Sequence, residues 1–141
     1  MPGERRQARI AAMQSLCQWE VQRDTHAEAL CDFFAEFGAV PAATSYATEL
    51  VNGFWKNVEF VDAKIAEAVE RWSFERISTV ERNVMRVAVV EWVGGAVPPR
   101  VVLDEAIEIS REFGGKDSSR FVNGVLDRIL ETLPPAEEND G

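Results

Sequence analysis

Residues 116–130 read KDSSRFVNGVLDRIL, and this stretch decides whether the fold is helical or β-rich. Its Asn123-Gly124 pair is a strong signal for a β-hairpin turn. Apolar residues nevertheless recur at helical spacing on both sides of the pair, at Val122 and Leu126, and no strand alternation flanks it. The spacing therefore predicts a helix, in which Gly124 costs roughly 1 kcal/mol relative to alanine. Because a helix interior seldom keeps a glycine without a reason, we expect another helix or a ligand to approach closely at this position.

Helical signals extend from this stretch towards the N-terminus. Ser78, with Glu81 three residues later, forms a capping box before an apolar run that ends at Gly94-Gly95. Pro98-Pro99 then restarts the chain, and the next apolar stripe ends at Gly114-Gly115. The predicted helices cover residues of about 5–23, 25–38, 41–57, 61–72, 78–94, 102–113 and 117–133. Strand signals are nearly absent, so the sequence predicts an all-α fold of about seven helices.

The composition is that of one globular domain. The chain has 141 residues, 46% hydrophobic and 28% charged, which is enough to bury a core without disulfides or metals. We expect a single helical domain over residues 1–133, followed at 134–141 by an acidic segment without an apolar pattern, which predicts a disordered tail. The triplet Val-Asn-Gly occurs at 51–53 and again at 122–124, and three residues are too few to indicate a repeat.

Cysteine usage and hydropathy predict the compartment. The chain has only two cysteines and no segment that combines a basic start, an apolar run and a small-residue cleavage site. No apolar run approaches the roughly 20 residues that span a bilayer. We therefore expect a cytoplasmic protein without membrane contact.

The charge distribution limits any nucleic-acid role to one part of the chain. A formal charge of −9 disfavours nonspecific coating of nucleic acid, because such binding depends on Lys and Arg at phosphates. The N-terminus is the exception, since Arg5, Arg6 and Arg9 stand there against Glu4 alone. On a helix, Arg5 and Arg9 share a face that can straddle adjacent phosphates, with Gln14 available for base edges. An ordinary solvated helix start has the same pattern, and both interpretations stay open at this point.

No catalytic, metal or nucleotide site is indicated. The single imidazole, His26, lies in a polar stretch, and its spacing from Cys17 and Cys31 matches no common zinc pattern. No phosphate-binding glycine loop is present. Asp104 and Glu105 occur at spacings that predict a solvated helix face rather than an acid–base pair. We expect a protein that is not an enzyme and that uses no metal or cofactor.

Five segments carry a more specific signal together. They are residues 12–16 (AMQSL) behind the arginines, 49–53 (ELVNG), 81–88 (ERNVMRVA), 101–108 (VVLDEAIE) and 117–127 (DSSRFVNGVLD). In order and spacing they resemble the transcription antitermination factor NusB family, from about Arg5 to Leu130. The resemblance implies an all-α fold of two packed helical subdomains. It also implies an RNA-binding factor that holds the boxA element of nascent ribosomal RNA transcripts, with a small-subunit ribosomal protein, in an RNA polymerase antitermination complex.

The resemblance implies roles for particular residues. The three N-terminal arginines would contact phosphates, and Asp117, Ser118 and Phe121 would lie at the RNA surface, with Phe121 facing the RNA. Cys17 and Glu81 would belong to the partner surface, where relatives often carry a tyrosine in place of Cys17. From the residues alone, Phe121 is equally compatible with the core, and Asp117 with a helix cap.

Two alternative functions remain open from the sequence. One is an acidic interaction module that docks a basic ribosomal protein with little RNA contact. The other is a stand-alone relative of the RNA-binding domain that is fused to rRNA cytosine methyltransferases.

Overall fold

A computed structural model of the chain describes residues 3–22, 41–69 and 74–133. These residues form α1 (Glu4–Gln22), α2 (Pro41–Lys56), α3 (Val58–Ala68), a 3₁₀ turn (Phe74–Arg76), α4 (Thr79–Gly94), α5 (Pro99–Gly114) and α6 (Lys116–Thr132). The described ranges contain no strand, which confirms the all-α prediction. The predicted helix at 25–38, with His26 and Cys31, and the predicted tail at 134–141 lie outside the described residues. None of the described helices is both long and apolar enough to cross a membrane.

Helix α4 is the centre of the fold, because it contacts each of the other five helices. Ten consecutive residues of α4, from Asn83 to Trp92, are buried, so the helix is covered on all sides. The Ser78 half of the predicted capping box is confirmed at its N-terminus, where the Ser78 hydroxyl accepts a hydrogen bond from the Glu81 backbone N–H at 3.2 Å. At the other end, Gly95 adopts a left-handed conformation, with φ of 72°, and terminates the helix as predicted.

Helices α5 and α6 form a hairpin that packs against α4. Pro99 opens α5 at a position where proline is favoured, and its carbonyl accepts a hydrogen bond from the Trp92 indole at 3.1 Å. A single residue, Gly115, separates α5 from α6 and has a φ of 89°, which favours glycine. A connection this short brings the two helices together along their lengths. These contacts position the starts of α4 and α6.

The apolar core runs through all six helices as one cluster. Its largest fully buried side chains include Met13 of α1, Phe54 of α2, Met85 of α4 and Leu126 of α6. The division into two subdomains therefore stays a prediction. Helix α3 differs from its predicted range of 61–72, since it begins three residues earlier and ends at Ala68.

Two glycines that share a sequence context have different neighbours. A Cβ atom built on Gly53 would lie 2.8 Å from Cγ1 of Val90, so this glycine allows α2 to approach α4. A Cβ built on Gly124 would have no atom of the described residues within 4 Å, and Gly124 is exposed. None of the described helices therefore approaches Gly124, and the other expected neighbour, a ligand, stays a prediction. The close approach occurs at Gly53, because α2 lies against both α1 and α4.

Candidate nucleic-acid interface

The basic start of α1 is held by side chains from three other helices. Arg5 is exposed, and its guanidinium carbon lies 5.0 Å from the centre of the Tyr46 ring of α2. This distance is within the range of a cation–π contact. Arg5 is thus the most accessible of the three arginines.

Arg6 forms a two-pronged ion pair with Glu105 of α5. Its Nε donates to both carboxylate oxygens at 3.1 Å, and its Nη2 donates to Oε2. The Arg6 side chain is 35% exposed and that of Glu105 is 18% exposed. The hydrogen bonds from Arg6 lower the pKa of Glu105, so this carboxyl group is charged at neutral pH. Glu105 was expected on a solvated face, and the structure corrects that expectation.

Arg9 is enclosed in the protein. Its side chain is only 5% exposed, and it donates to Glu91 of α4 from Nε at 2.5 Å and from Nη2 at 3.0 Å. Its Nη1 donates to Glu105 at 3.1 Å. The Tyr46 hydroxyl also donates to Glu91, at 2.7 Å, and burial together with this bond raises the pKa of Tyr46 to about 12. The expected phosphate contact of Arg9 does not fit this geometry, because its three donor nitrogens already face carboxylates.

The start of α6 presents a second group of predicted residues. Asp117 is exposed in the first turn, where a negative charge is favoured by the helix dipole. It does not cap the helix, since the N-cap position is Gly115 and no side-chain cap is formed. Phe121 lies one turn further on, half-buried, and packs partly against the core. Phe121 is therefore neither fully buried nor fully exposed, which is compatible with both interpretations of this residue.

Ser118 connects the start of α6 to the start of α4. Its hydroxyl donates a hydrogen bond to Oε2 of Glu81 at 2.7 Å. The Glu81 carboxylate thus contacts α6. The structure brings together one residue expected at the RNA surface and one expected at the partner surface.

Cys17 lies beside the same turn of α4. Its sulfur is 3.6 Å from the carbonyl oxygen of Thr79 and 3.5 Å from Nδ2 of Asn83. Burial raises the pKa of the Cys17 thiol, which is therefore neutral at physiological pH. Gln14, one turn earlier on α1, is exposed. Of the predicted residues of α1, Cys17 thus lies beside the start of α4, whereas Arg9 lies near its other end at Glu91.

Sequence reasoning missed the acceptors that hold the arginines. Glu91 lies 82 residues from Arg9, and Tyr46, whose ring faces Arg5, lies 41 residues from Arg5, so neither carries a local signal for this role. Glu105 lies in segment 101–108, which carried part of the family resemblance but no assigned role. Among the described residues, no three His, Cys, Asp or Glu side chains are grouped closely enough to hold a metal ion.

The fold and this surface define a class of protein, an all-α protein that presents polar and charged side chains at the starts of α1, α4 and α6. Comparison with protein families then identifies it more closely. The NusB family model matches residues 6–131. The chain belongs to the NusB family.

Relatives and solved structures agree with this assignment. The chain is 39% identical to the transcription antitermination protein NusB of Desulforamulus reducens, over 94% of this chain and 93% of that protein. It is 37% identical to the same-named protein of Anaeromyxobacter dehalogenans strain 2CP-1, over 99% of both chains. The structure of T. maritima NusB is similar with a TM-score of 0.82 and 35% identity, covering 96% of each chain. A crystal structure of antitermination factors NusB and NusE in complex with double-stranded RNA is similar with a TM-score of 0.83 and 26% identity, covering 94% of this chain and 100% of that one.

Proposed function

We propose that this protein is an RNA-binding transcription antitermination factor. It binds the boxA element of nascent rRNA transcripts together with a small-subunit ribosomal protein, in the cytoplasm, as part of an RNA polymerase antitermination complex. It acts by binding alone, without catalysis or a cofactor. The observation that carries this proposal is the match along nearly the whole chain to relatives named as antitermination proteins. The related complex of NusB, NusE and RNA supports both kinds of partner.

The proposed RNA surface lies at the starts of α1 and α6. It comprises Arg5, Arg6, Gln14, Asp117, Ser118 and Phe121. Phe121 is partly exposed, and we expect its ring to offer a stacking face for a base. Lys116 and Arg120 are exposed on either side of Asp117. Gly124, exposed one turn after Phe121, continues this surface as a helix position without a side chain.

The proposed partner surface is centred on Cys17 and Glu81. The hydrogen bond between Glu81 and Ser118 makes this surface adjacent to the RNA surface. A ribosomal protein bound there can therefore contribute its own contacts to the same RNA. This arrangement suits a protein of net charge −9, whose own electrostatic attraction for RNA is weak.

A binding assay tests the proposal directly. Labelled boxA-like and scrambled RNA oligomers are titrated with the full chain, alone and with the ribosomal partner. We expect preference for the boxA-like oligomer, with the larger preference when the partner is present. Equal affinity for both oligomers under both conditions would contradict the proposal.

One observation favours the acidic interaction module as a second candidate. Glu91 and Glu105 already neutralise Arg6 and Arg9, which leaves little free positive charge at the start of α1. In that case the ribosomal protein binds in a salt-sensitive manner and added RNA gives no gain. The same titrations distinguish the two candidates.

A further inference from the structure

Glu105 occupies the position that an RNA phosphate would take at Arg6. The carboxylate receives hydrogen bonds from two neighbouring nitrogens of the guanidinium group, Nε and Nη2. Phosphate oxygens bind arginine in the same parallel manner. A phosphate that approaches Arg6 therefore meets a charge that is already paired on one edge.

We propose that Glu105 is an internal competitor for RNA phosphate at Arg6 and that it sets the affinity and salt dependence of the RNA surface. This inference rests on the proposed function. Glu105 is a positioning residue in this role, since it acts on RNA through Arg6. RNA gains the full charge of Arg6 only when a phosphate displaces the carboxylate.

The competition concerns Arg6 and not Arg9. The Arg6 side chain is 35% exposed, whereas that of Arg9 is 5% exposed. Arg9 keeps both of its hydrogen bonds to Glu91 when Glu105 is removed. Displacement of Glu105 therefore frees one cation for RNA and leaves the buried pair in place.

Two further carboxylates near Arg6 add to the negative charge that an RNA phosphate meets there. Glu108 and Glu112 follow on the same helix as Glu105, and their charges also stabilise the Arg6 guanidinium. Both are exposed, so solvent screens them more strongly than Glu105. They repel an incoming phosphate without closing the hydrogen-bonding edge of Arg6, which makes Glu105 the residue to change.

The test compares two substitutions that remove the same charge from α5. Glu105→Gln frees Arg6, whereas Asp104→Asn removes the neighbouring carboxylate, which is 63% exposed and faces Arg100 at 3.8 Å. Affinity for a boxA-like RNA is measured over a range of salt concentrations. One extra phosphate contact to a single strand steepens the slope of log K against log salt by about 0.7. With equal affinities at 1 M salt, where screening is strong, this slope means that Glu105→Gln should bind the RNA about fivefold more tightly than the unchanged protein at 0.1 M salt. Asp104→Asn should change the RNA affinity and the salt slope far less.

Arg6→Ala, made in the unchanged protein and in the Glu105→Gln protein, tests whether Arg6 is the cation that gains the phosphate contact. It should weaken RNA binding more in the Glu105→Gln protein than in the unchanged protein, and in the Glu105→Gln protein it should abolish the gain in affinity and in salt slope. If Glu105→Gln does not fold, as judged by circular dichroism, Glu105→Asp replaces it. This variant keeps the charge but shortens its reach by one methylene, and it should shift affinity in the same direction by a smaller amount.

The outcomes separate the two proposals. The competitor proposal would be overturned if Glu105→Gln and Asp104→Asn changed RNA affinity equally. It would also be overturned if Arg6→Ala left the gain of Glu105→Gln intact. Either result leaves the proposed function standing. No RNA binding by the unchanged protein, with and without the partner, would overturn both.

Discussion

The two Val-Asn-Gly triplets of this chain have the same residues and opposite surroundings. In both, the valine is buried and the asparagine is exposed. Gly53 has Val90 so close that a methyl group would overlap it, whereas Gly124 faces open space. The difference comes from the position of each helix. Helix α2 contacts both α1 and α4, while α6 leaves the side that carries Gly124 uncovered.

This difference teaches that one local pattern can serve the core at one place and the surface at another. A glycine inside a helix costs roughly 1 kcal/mol relative to alanine in both triplets. At Gly53 the packing of α2 on α4 offsets that cost. At Gly124 no neighbouring atom in the described part of the chain offsets it, and we expect the compensation to come from bound RNA. The following substitutions test that contrast.

The largest effect is expected at the packed glycine. Gly53→Ala should lower the free energy of unfolding by up to about 3 kcal/mol, because the added methyl group overlaps Val90 on the central helix. Urea denaturation followed by circular dichroism measures the change. Val90→Ala removes the overlapping methyl group, so Gly53→Ala should cost less in that background. If Gly53→Ala were as stable as the unchanged protein, the two glycines would not differ in the energetic cost of a side chain.

The second-largest effect is expected on RNA affinity at Phe121, one turn before Gly124. Phe121→Ala should weaken binding of a boxA-like RNA by roughly 1–2 kcal/mol, because a base loses its stacking partner while only part of the ring is accessible. Phe60→Ala is the matched control. Phe60 is 44% exposed on α3, near Lys64, which contacts Thr132 at the other end of α6. A loss of stability with unchanged RNA affinity would assign Phe121 to the core alone.

The open glycine should respond with the opposite sign to the packed one. Gly124→Ala should raise the free energy of unfolding by about 1 kcal/mol, because the methyl group enters open space and alanine favours the helix. It should also weaken RNA binding, since the methyl group holds the RNA away from the helix. Gly94→Ala provides the control, because Gly94 is also helical, exposed and free of neighbours. Its substitution should leave RNA affinity unchanged.

The smallest effect should be the same in both triplets. Asn52→Ala and Asn123→Ala should each stabilise the fold by about 0.5 kcal/mol, because both asparagines are exposed within helices and alanine has the higher helix propensity. Parallel thermal and urea denaturation compares them. Values that differ by more than about 1 kcal/mol would show that the triplets differ in more than their glycines.

The sequence predicted the features of the fold that depend on neighbours along the chain. The capping of α4 by Ser78 and its termination at Gly95 follow from local backbone chemistry. The burial of Arg9 could not be predicted in this way, because its partner Glu91 lies 82 residues away. Helical periodicity indicates which side of a helix is apolar, but not which charged residue of another helix will face it.

The same limit explains the two glycines and the candidate site. Nothing within either triplet reports whether a second helix covers it, so the sequence could not predict that a described helix packs on Gly53 and none on Gly124. The roles of Asp117 and Phe121 came from the resemblance, and their exposure is consistent with those roles. The part of the site that was not foreseen, the pairing of Arg6 with Glu105, again joins residues far apart in sequence.

The hydrogen bond between Ser118 and Glu81 sets a thermodynamic condition on assembly. It joins a residue of the proposed RNA surface to a residue of the proposed partner surface at 2.7 Å, and through this contact we expect binding at one surface to affect the other. Coupling between two binding equilibria is reciprocal. Any factor by which the ribosomal protein tightens RNA binding must therefore equal the factor by which RNA tightens binding of the ribosomal protein. The completed assembly then has the same stability whichever component arrives first.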